Sequence, residues 1–479
     1  MKRKARERRP ARPWSLGSRV TRGVVVALVL GSLVAVGPPG RSAHAVSTKP
    51  NILFILTDDQ RSDAVPQLPK LNAQPSWMRF TRAFVEEPQC CPSRSTIFTG
   101  RYSHHTGVDT LESGAKLDES RTIATMLHSS GYQTGFLGKY LNGYPFGRGD
   151  YVPPGWDTFE AYEGATDYYN YVFNRNGTRV SHGAAPSDYS TDVWTSEARR
   201  FLSHTDPAKP FFLEVAYNAP HRASTGDPVP APRDVGSCAN VPFPVPPSFN
   251  ADDKNSEPAW LKAEPRVGLY DMARQRRATC ETLRAVDDGV VAIMNQLALA
   301  GRLANTYVVI MSDNGYEFGE HKLFGKGDLS EESVRVPLMV RGPGVVPGTT
   351  ARLTSNVDLA PTFVEWAGAQ APTGFFDGAS WAATARGDPR ATQPGEVLLR
   401  GCRSGRDMTP HPCGGYPVDM GMNWGLRTAN YEYVEYPNGE RQLFDVVHDP
   451  YEMSNLASDP ATLGIRQYLH SRIVARRGF

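Results

Sequence analysis

Two pairs of oxygen-bearing residues follow directly after apolar runs of the chain. Asp58 and Asp59 follow one such run after Thr57, and Asp313 and Asn314 follow another after Ser312. Carboxylate and amide oxygens are hard ligands, so these four side chains together suit Ca²⁺ or Mg²⁺ better than Zn²⁺. The Asp pair alone also fits a helix N-cap, in which a carboxylate accepts from backbone N–H groups.

A segment with two adjacent cysteines favours a metal site over a helix N-cap as the role of the Asp58–Asp59 pair. Cys90–Arg94 reads Cys-Cys-Pro-Ser-Arg, and residues 99–101 read Thr-Gly-Arg. This pattern resembles the C-x-P-S-R signature, with its downstream T-G-R, of the formylglycine-dependent type I sulfatase family. The resemblance implies that a formylglycine-generating or equivalent maturation enzyme oxidises Cys90 to formylglycine (3-oxoalanine), the nucleophile. It also implies one bound calcium with these ligands: Asp58, Asp59, Cys90 in its modified form, Asp313 and Asn314. The alternative is an inert thiol at a helix N-terminus.

Five further residues match the family position by position, and the resemblance implies their roles. Arg94 can hydrogen-bond the hydrated aldehyde or a sulfate oxygen. Lys139, in a Gly-Lys motif, and Lys326 are expected to neutralise sulfate oxygens as point charges. His221, in a Pro-His pair, corresponds to the histidine near the leaving group, and either it or Lys326 would protonate the leaving alcohol. His321, within a G-E-H-x-L-x-x-K pattern, is expected to orient groups or accept protons.

The sequence Gly-Lys-Tyr-Leu-Asn at residues 138–142 resembles the N-acetylglucosamine-6-sulfatase and arylsulfatase branch of the family. Many sulfatases carry a histidine where this chain has Leu141, so the base that releases sulfate is left unassigned. The implied activity is hydrolysis of sulfate esters of a sugar or an aryl group. Two alternatives stay open: a phosphodiester or phosphonate monoester hydrolase of the same superfamily, and a non-catalytic protein that binds sulfated glycans.

Strands and helices alternate through the larger part of the chain. The apolar runs at residues 49–56, 210–216 and 307–311 predict strands buried on both faces. Apolar residues at i, i+3 and i+4 spacing in residues 283–297 predict a covering helix. We therefore expect an α/β fold whose sheet gathers polar residues at the carboxyl ends of its strands. The family resemblance implies an alkaline-phosphatase-like sandwich with a large mixed, mostly parallel sheet.

The character of the sequence changes near residue 395, where segments become shorter and more aromatic. Residues 431–436 alternate as in a half-solvated antiparallel strand, and residues 437–439 read Pro-Asn-Gly, a hairpin turn signal. A helix is expected near residues 461–477. The predicted organisation is a signal peptide at residues 1–45, a catalytic α/β domain at 46–394 and a small α+β domain with an antiparallel sheet at 395–479.

Residues 1–45 combine a basic start, a short apolar run and an Ala-His-Ala sequence, which predicts a secretory signal peptide. The apolar run is shorter than the ~20 residues of a membrane-spanning helix, so we expect a secreted or extracytoplasmic protein without a stable membrane anchor. Ten of the 52 basic residues but only one of the 50 acidic residues lie in this segment. The rest therefore carries a net charge of about −7, which argues against nucleic acid as a partner. A sulfated small molecule or glycan would have to be bound by local lysines and arginines.

Six cysteines in an exported chain permit disulfides. Cys238 with Cys280 and Cys402 with Cys413 are plausible pairs by position, although the sequence does not fix the pairing. The proline-rich residues 226–255 contain Cys238 and predict a loop near the cleft.

Overall fold

The computed structural model describes residues 47–164, 166–252, 257–402 and 422–478, which belong to one compact unit. Its strands are β1 (Asn51–Thr57), β2 (Met78–Phe84), β3 (Gln133–Gly138), β4 (Thr158–Tyr162), β5 (Val172–Arg175), β6 (Thr178–Ser181), β7 (Phe211–Ala216), β8 (Thr306–Ser312), β9 (Glu317–Phe318), β10 (Phe324–Gly325), β11 (Leu338–Arg341), β12 (Gly348–Ser355), β13 (Glu396–Gly401), β14 (Asn423–Thr428), β15 (Tyr431–Glu435) and β16 (Arg441–Asp445). Its α-helices are α1 (Pro69–Asn72), α2 (Cys90–Thr99), α3 (Ser103–Thr106), α4 (Ile123–Ser129), α5 (Ser190–His204), α6 (Ala259–Lys262), α7 (Leu269–Leu299), α8 (Glu331–Val334), α9 (Leu359–Ala367), α10 (Ala382–Ala385) and α11 (Leu463–Arg476).

A ten-stranded sheet forms the centre of the molecule, with the strand order β12-β2-β11-β8-β1-β7-β3-β4-β5-β6. The three predicted buried strands are β1, β7 and β8, and β1 pairs in parallel with both of the others. The sheet is mixed and mostly parallel, because β3 also pairs in parallel with β7 and β4, whereas β11 and the β5–β6 edge run antiparallel. The predicted fold class is confirmed.

Side chains of β1 alternate between two hydrophobic cores, one on each face of the sheet. Phe54 and Leu56 belong to the core that includes Phe363 of α9, whereas Leu53 and Ile55 belong to the core on the other face. This alternation explains the continuous apolar run, because a strand covered on both faces has no solvated side.

The helix expected at residues 283–297 is the second half of α7, whose buried residues include Leu283, Val290 and Ile293. It packs against α5 on the second core, and the predicted apolar stripe is confirmed. Among the described residues, no helix is long and apolar enough to cross a membrane. The predicted signal peptide lies outside the described residues.

A separate four-stranded antiparallel sheet has the order β13-β14-β15-β16, and the helix expected near residues 461–477 is α11. Gly439 has φ +87 in the expected turn between β15 and β16. This conformation favours glycine, because a Cβ is strained there. The division of the chain into two domains stays a prediction, since both sheets belong to one compact unit.

The disulfide between Cys238 and Cys280 confirms one of the two plausible pairs. It closes a segment of 42 residues and ties the proline-rich loop to α7. Cys402 is also disulfide-bonded. Cys413, its predicted partner, lies outside the described residues.

Candidate active site

The ends of three parallel strands bring polar residues together at one edge of the large sheet. Asp58 and Asp59 follow β1, Asp313 follows β8, and Lys139 follows β3. Gly138, the last residue of β3, has φ +115, and a Cβ there would lie 2.0 Å from the Ala216 carbonyl oxygen. Only glycine therefore lets β3 approach β7 so closely just before the lysine.

Cys90 is the first residue of α2, which is buried along its whole length. Ser93 in the first turn of α2 donates through Oγ to the Asp313 backbone carbonyl at 2.5 Å, and Asn356 Nδ2 donates to the same hydroxyl at 2.9 Å. Gly100 ends the helix in the left-handed conformation, with φ +67. The signature residues therefore fix the helix start against the end of β8.

Three charged groups surround the Cys90 sulfur. The ammonium groups of Lys326 and Lys139 lie 2.8 and 3.2 Å from Sγ, and the thiol donates to Asp58 Oδ1 at 3.4 Å. Lys139 Nζ also contacts Asp58 Oδ2. An anion delivered to position 90 would meet two positive charges, which is the arrangement that stabilises a transferring sulfuryl group.

Arg94 holds two of the carboxylates in place from beneath. Its Nε donates to Asp313 Oδ2 at 2.8 Å and its NH2 group donates to Asp58 Oδ2 at 3.1 Å. All three side chains are 0% exposed. Breaking one partner of such a buried pair leaves an uncompensated charge, so these contacts are costly to disrupt.

Burial and neighbouring charges set the ionisation of the site. Burial raises the pKa of the Asp58 carboxyl, but the charges of Lys139, Lys326 and Arg94 outweigh it and hold that pKa well below its usual range. Burial and the Asp58 charge raise the pKa of Asp313. Burial, followed by the charge of Asp58, raises the pKa of the Cys90 thiol to about 12. The unmodified side chain is therefore a neutral thiol near pH 7, which is a poor nucleophile.

His221 follows β7 and faces the same centre. Its Nδ1 lies 2.7 Å from the Arg222 carbonyl oxygen, which only accepts, so Nδ1 carries a proton and Nε2 is left facing Asp59 Oδ2 at 3.7 Å. Burial lowers the pKa of the imidazole. The neutral ring can therefore exchange a proton through Nε2.

The oxygen donors fit a hard cation. Lys326 Nζ contacts Asp59 Oδ1 and lies 3.2 Å from Asn314 Oδ1 and 2.8 Å from Cys90 Sγ, so ligand atoms from three segments already converge on a positive charge. One ligand atom each from Asp58, Asp59, Cys90 and His221 lie within 4.8 Å of one another. Asp59 has φ 66, a conformation that non-glycine residues adopt at a cost, as is common at functional sites.

His321 is the predicted site residue that the structure does not bring to this centre. Its backbone N–H donates to the Ser248 carbonyl at 2.7 Å, and its φ is +50. Its side chain lines a small cavity together with Glu452 of the C-terminal segment. The other nine predicted site residues do meet at this centre: Asp58, Asp59, Cys90, Arg94, Lys139, His221, Asp313, Asn314 and Lys326.

The cleft above the centre includes residues that the motifs did not reveal. Besides Asp59, His221 and Lys326, its lining includes Asp167, Arg222, Ser224 and Tyr316. Arg222 directly follows the Pro-His pair, and that adjacency is the signal that could have found it. Gly226, at the start of the proline-rich loop, also lines the cleft.

Comparison with known proteins decides the family. Residues 50–369 match the model of the Sulfatase family. The chain belongs to the sulfatase family. It is accordingly a sulfuric ester hydrolase, and the resemblance found in its motifs is confirmed.

The chain is similar to several curated sulfatases over most of its length. It is 33% identical to the N-acetylglucosamine-6-sulfatase of Homo sapiens over 92% of this chain and 86% of that protein. It is 27% identical to the N-acetylglucosamine-6-O-sulfatase of Bacteroides thetaiotaomicron over 85% of this chain and 82% of that protein. It is 35% identical to the Extracellular sulfatase SULF-1 homolog of Drosophila melanogaster over 71% of this chain and 31% of that protein.

Solved structures share the fold. A protein determined in complex with its substrate D-glucosamine-2-N,6-O-disulfate superposes with a TM-score of 0.73 at 24% identity, covering 90% of this chain and 97% of that one. The phosphonate monoester hydrolase of Agrobacterium radiobacter gives a TM-score of 0.69 at 21% identity, covering 90% and 95%. At such identities the likeness establishes the alkaline-phosphatase-like architecture.

Proposed function

We propose that this sulfatase hydrolyses the 6-O-sulfate ester of glucosamine-type sugars outside the cytoplasm. One observation carries the proposal. The side chains of Lys139, Lys326 and Asp58 each have a charged atom within 3.4 Å of the Cys90 sulfur. The two N-acetylglucosamine-6-sulfatases to which the chain is similar over most of its length support the substrate class. The predicted signal peptide and the extracellular sulfatase homolog support the location.

The nucleophile in this proposal is formylglycine, made from Cys90 by a maturation enzyme. The hydrated aldehyde supplies one hydroxyl to attack sulfur and a second whose deprotonation expels sulfate as the aldehyde re-forms, whereas a serine would be trapped as its sulfate ester. The position of Cys90 at the start of α2 supports this role, because helix N-termini favour anions.

The metal ion in this proposal is a single calcium ion. Its ligands would be the oxygens of Asp58, Asp59, Asp313 and Asn314 together with modified residue 90. When bound, calcium polarises a sulfate oxygen and lowers the pKa of the attacking hydroxyl. The donor set supports calcium or magnesium over zinc, because its protein ligands other than residue 90 offer oxygen alone.

The remaining side chains bind sulfate and move protons. Lys139 and Lys326 neutralise the sulfate oxygens, while Arg94 keeps the Asp58 and Asp313 carboxylates aimed at the centre. His221, fixed by the bond from Nδ1 to the Arg222 carbonyl, takes up a proton at Nε2 from water in the cleft and passes it to the oxygen of the leaving alcohol. His321 takes no step in this scheme, since its side chain lines a separate small cavity that includes Asp252 and Glu452.

Tandem mass spectrometry of the Cys90 peptide tests the nucleophile, on protein purified from the native host. We expect formylglycine at position 90, and hydrolysis of N-acetylglucosamine 6-sulfate in preference to an aryl phosphodiester. Cys90→Ala should abolish turnover. Cys91→Ser is the matched control, because Cys91 is equally buried but contacts no charged group of the centre, and it should keep the modification and the activity. An unmodified thiol with no sulfatase activity would contradict the proposal, as would preferred hydrolysis of the phosphodiester.

A further inference from the structure

The cleft above the catalytic centre has a volume of about 570 Å³. This volume lies within the range of ~300–1,000 Å³ that is usual for small-molecule sites and holds a sugar larger than the sulfate group alone. One side of the cleft is formed by residues 221–226, the loop that follows β7 and includes His221. Side chains on this loop therefore face the part of the substrate that does not react.

Arg222 is held in this wall by two contacts. Its Nε donates to the Gly226 carbonyl at 3.2 Å, and its guanidinium carbon lies 5.7 Å from the centroid of the Phe324 ring. An arginine fixed in this way loses little side-chain entropy when it binds a ligand.

The positive charge of Arg222 is not neutralised within the parts of the chain that the structure describes, since no carboxylate there lies within 4.0 Å of its guanidinium. Both carboxylates that line the cleft are engaged elsewhere, and Asp59 contacts Lys326. Asp167 accepts from the Ser224 backbone N–H at 2.8 Å and from the Ser224 hydroxyl at 2.6 Å. Asp167 thus fixes the loop and leaves the Arg222 charge to the ligand.

We propose that Arg222 is a specificity-determining residue that binds a second anionic group, a sulfate or a carboxylate, on the sugar whose sulfate ester is cleaved. This inference rests on the proposed function and extends it to the substrate class. The planar guanidinium matches sulfate and carboxylate oxygens in a bidentate pair, which gives affinity together with orientation. The mature chain is expected to be acidic overall, so a fixed local cation is the means by which it can select doubly anionic substrates.

The test compares wild type, Arg222→Gln and Arg222→Lys on three substrates: glucosamine 6-sulfate, glucosamine 2-N,6-O-disulfate, and a 6-O-sulfated glucosamine linked to a uronic acid. The first carries no second anion, and the others carry it as a sulfate or a carboxylate. We expect Arg222→Gln to lower kcat/KM about 10- to 100-fold, mainly through KM, on whichever doubly anionic substrate wild type prefers, and less than about threefold on glucosamine 6-sulfate. Arg222→Lys should fall between. Arg390→Gln, at an 88% exposed side chain outside the cleft, is the matched control and should change nothing.

Two results would overturn the inference while leaving the proposed function intact. One is an equal loss on all three substrates, which would show that Arg222 serves the loop or the reaction as a whole. The other is no loss on any of them. A wild-type enzyme that cleaves an aryl sulfate but none of the three sugars would instead overturn the proposed function itself.

Discussion

Asp313 links the proposed metal site to the buried arginine beneath it. Because Asp313 accepts from Arg94 Nε at 2.8 Å and its Oδ1 lies 3.3 Å from the Asp59 backbone nitrogen, Asp313→Ala removes a proposed calcium ligand and unpairs Arg94. We expect calcium affinity and kcat/KM each to fall at least about 100-fold, measured by calorimetric titration and sulfate release. Asp118→Ala, at a 63% exposed carboxylate, is the control and should behave as wild type. Normal metal binding and turnover in Asp313→Ala would show that the ligand assignment is wrong.

The role of His221 can be tested through the leaving group. Its Nε2 lies at the cleft, and a proton from it matters most when the departing alkoxide is strongly basic. We therefore expect His221→Gln to lower kcat/KM about 10²- to 10⁴-fold on a sugar 6-sulfate but much less on a nitrophenyl sulfate, whose phenolate leaves unaided. Steady-state kinetics on both substrates measure the difference. A loss of the same size on both would assign His221 to sulfate binding instead of proton transfer.

Most residues of the centre could be predicted from the sequence because the fold places them at the ends of strands. Asp58 follows β1, Asp313 follows β8 and His221 follows β7, so the three predicted apolar runs already indicated where these polar groups would meet. The motif around His321 gave no such information. The intervening hairpin of β9 and β10 directs Lys326 to the Cys90 sulfur, while His321 lines a separate small cavity with Glu452.

At the scale of elements, an ion-pair cluster fastens helix α11 to the small sheet. Arg472 donates to both oxygens of Glu396 on β13, at 2.7 and 3.1 Å, and Arg476 donates to Oε1 at 3.2 Å. Burial raises the pKa of Glu396, but the hydrogen bonds and charges of Arg472 and Arg476 outweigh it and leave the pKa below its usual value. A carboxyl whose pKa is lowered on folding stabilises the folded state above its unfolded pKa, and this stabilisation is lost as the pH falls through the folded pKa.

Glu396→Gln should therefore lower the free energy of unfolding near pH 7 by about 1 kcal/mol, since the arginines are partly solvated. This corresponds to roughly 1–2 °C in the midpoint of thermal unfolding, and the difference from wild type should shrink below about pH 4. Glu365→Gln, which breaks an exposed pair with Arg386, is the matched control and should have no measurable effect. A Glu396→Gln deficit that stayed constant from pH 7 down to pH 3 would exclude the ion-pair account.

The predicted elements were those whose sequence carries a local pattern. The period of 3.6 in α7 arises because one face of the helix is covered by a core, and it was visible in the residues. The strand predicted at residues 431–436 is β15, but the expected solvated face was wrong, because Glu432, Tyr433 and Val434 are all buried. Strand β11 was not predicted, because four residues are too few to show a periodic pattern and do not indicate in which direction the strand pairs. Its antiparallel place between β2 and β8 is decided by pairing with strands distant along the chain.

At the scale of the whole molecule, the large sheet gathers one centre of paired charges from segments spread between Asp58 and Lys326. Arg94, Lys139 and Lys326 are all buried against carboxylates, so their charges are fixed in place before any anion arrives. Such preorganisation needs a rigid frame, because the side chains that hold one another belong to α2 and to the segments that follow β1, β3, β8 and β10. The frame includes the disulfide that secures the proline-rich loop beside the cleft.

The double variant Cys238→Ser/Cys280→Ser tests how much that disulfide contributes to the frame. Opening a 42-residue loop increases the entropy of the unfolded chain by an amount worth about 3–4 kcal/mol, so the midpoint of thermal unfolding should fall by roughly 3–5 °C. The variant is preferable to a reducing agent, because Cys402 is also disulfide-bonded. We expect kcat/KM at 25 °C to stay within about threefold of wild type, since neither cysteine contacts the catalytic centre. An unchanged unfolding midpoint would mean that packing of the loop on α7 fixes it without the covalent link.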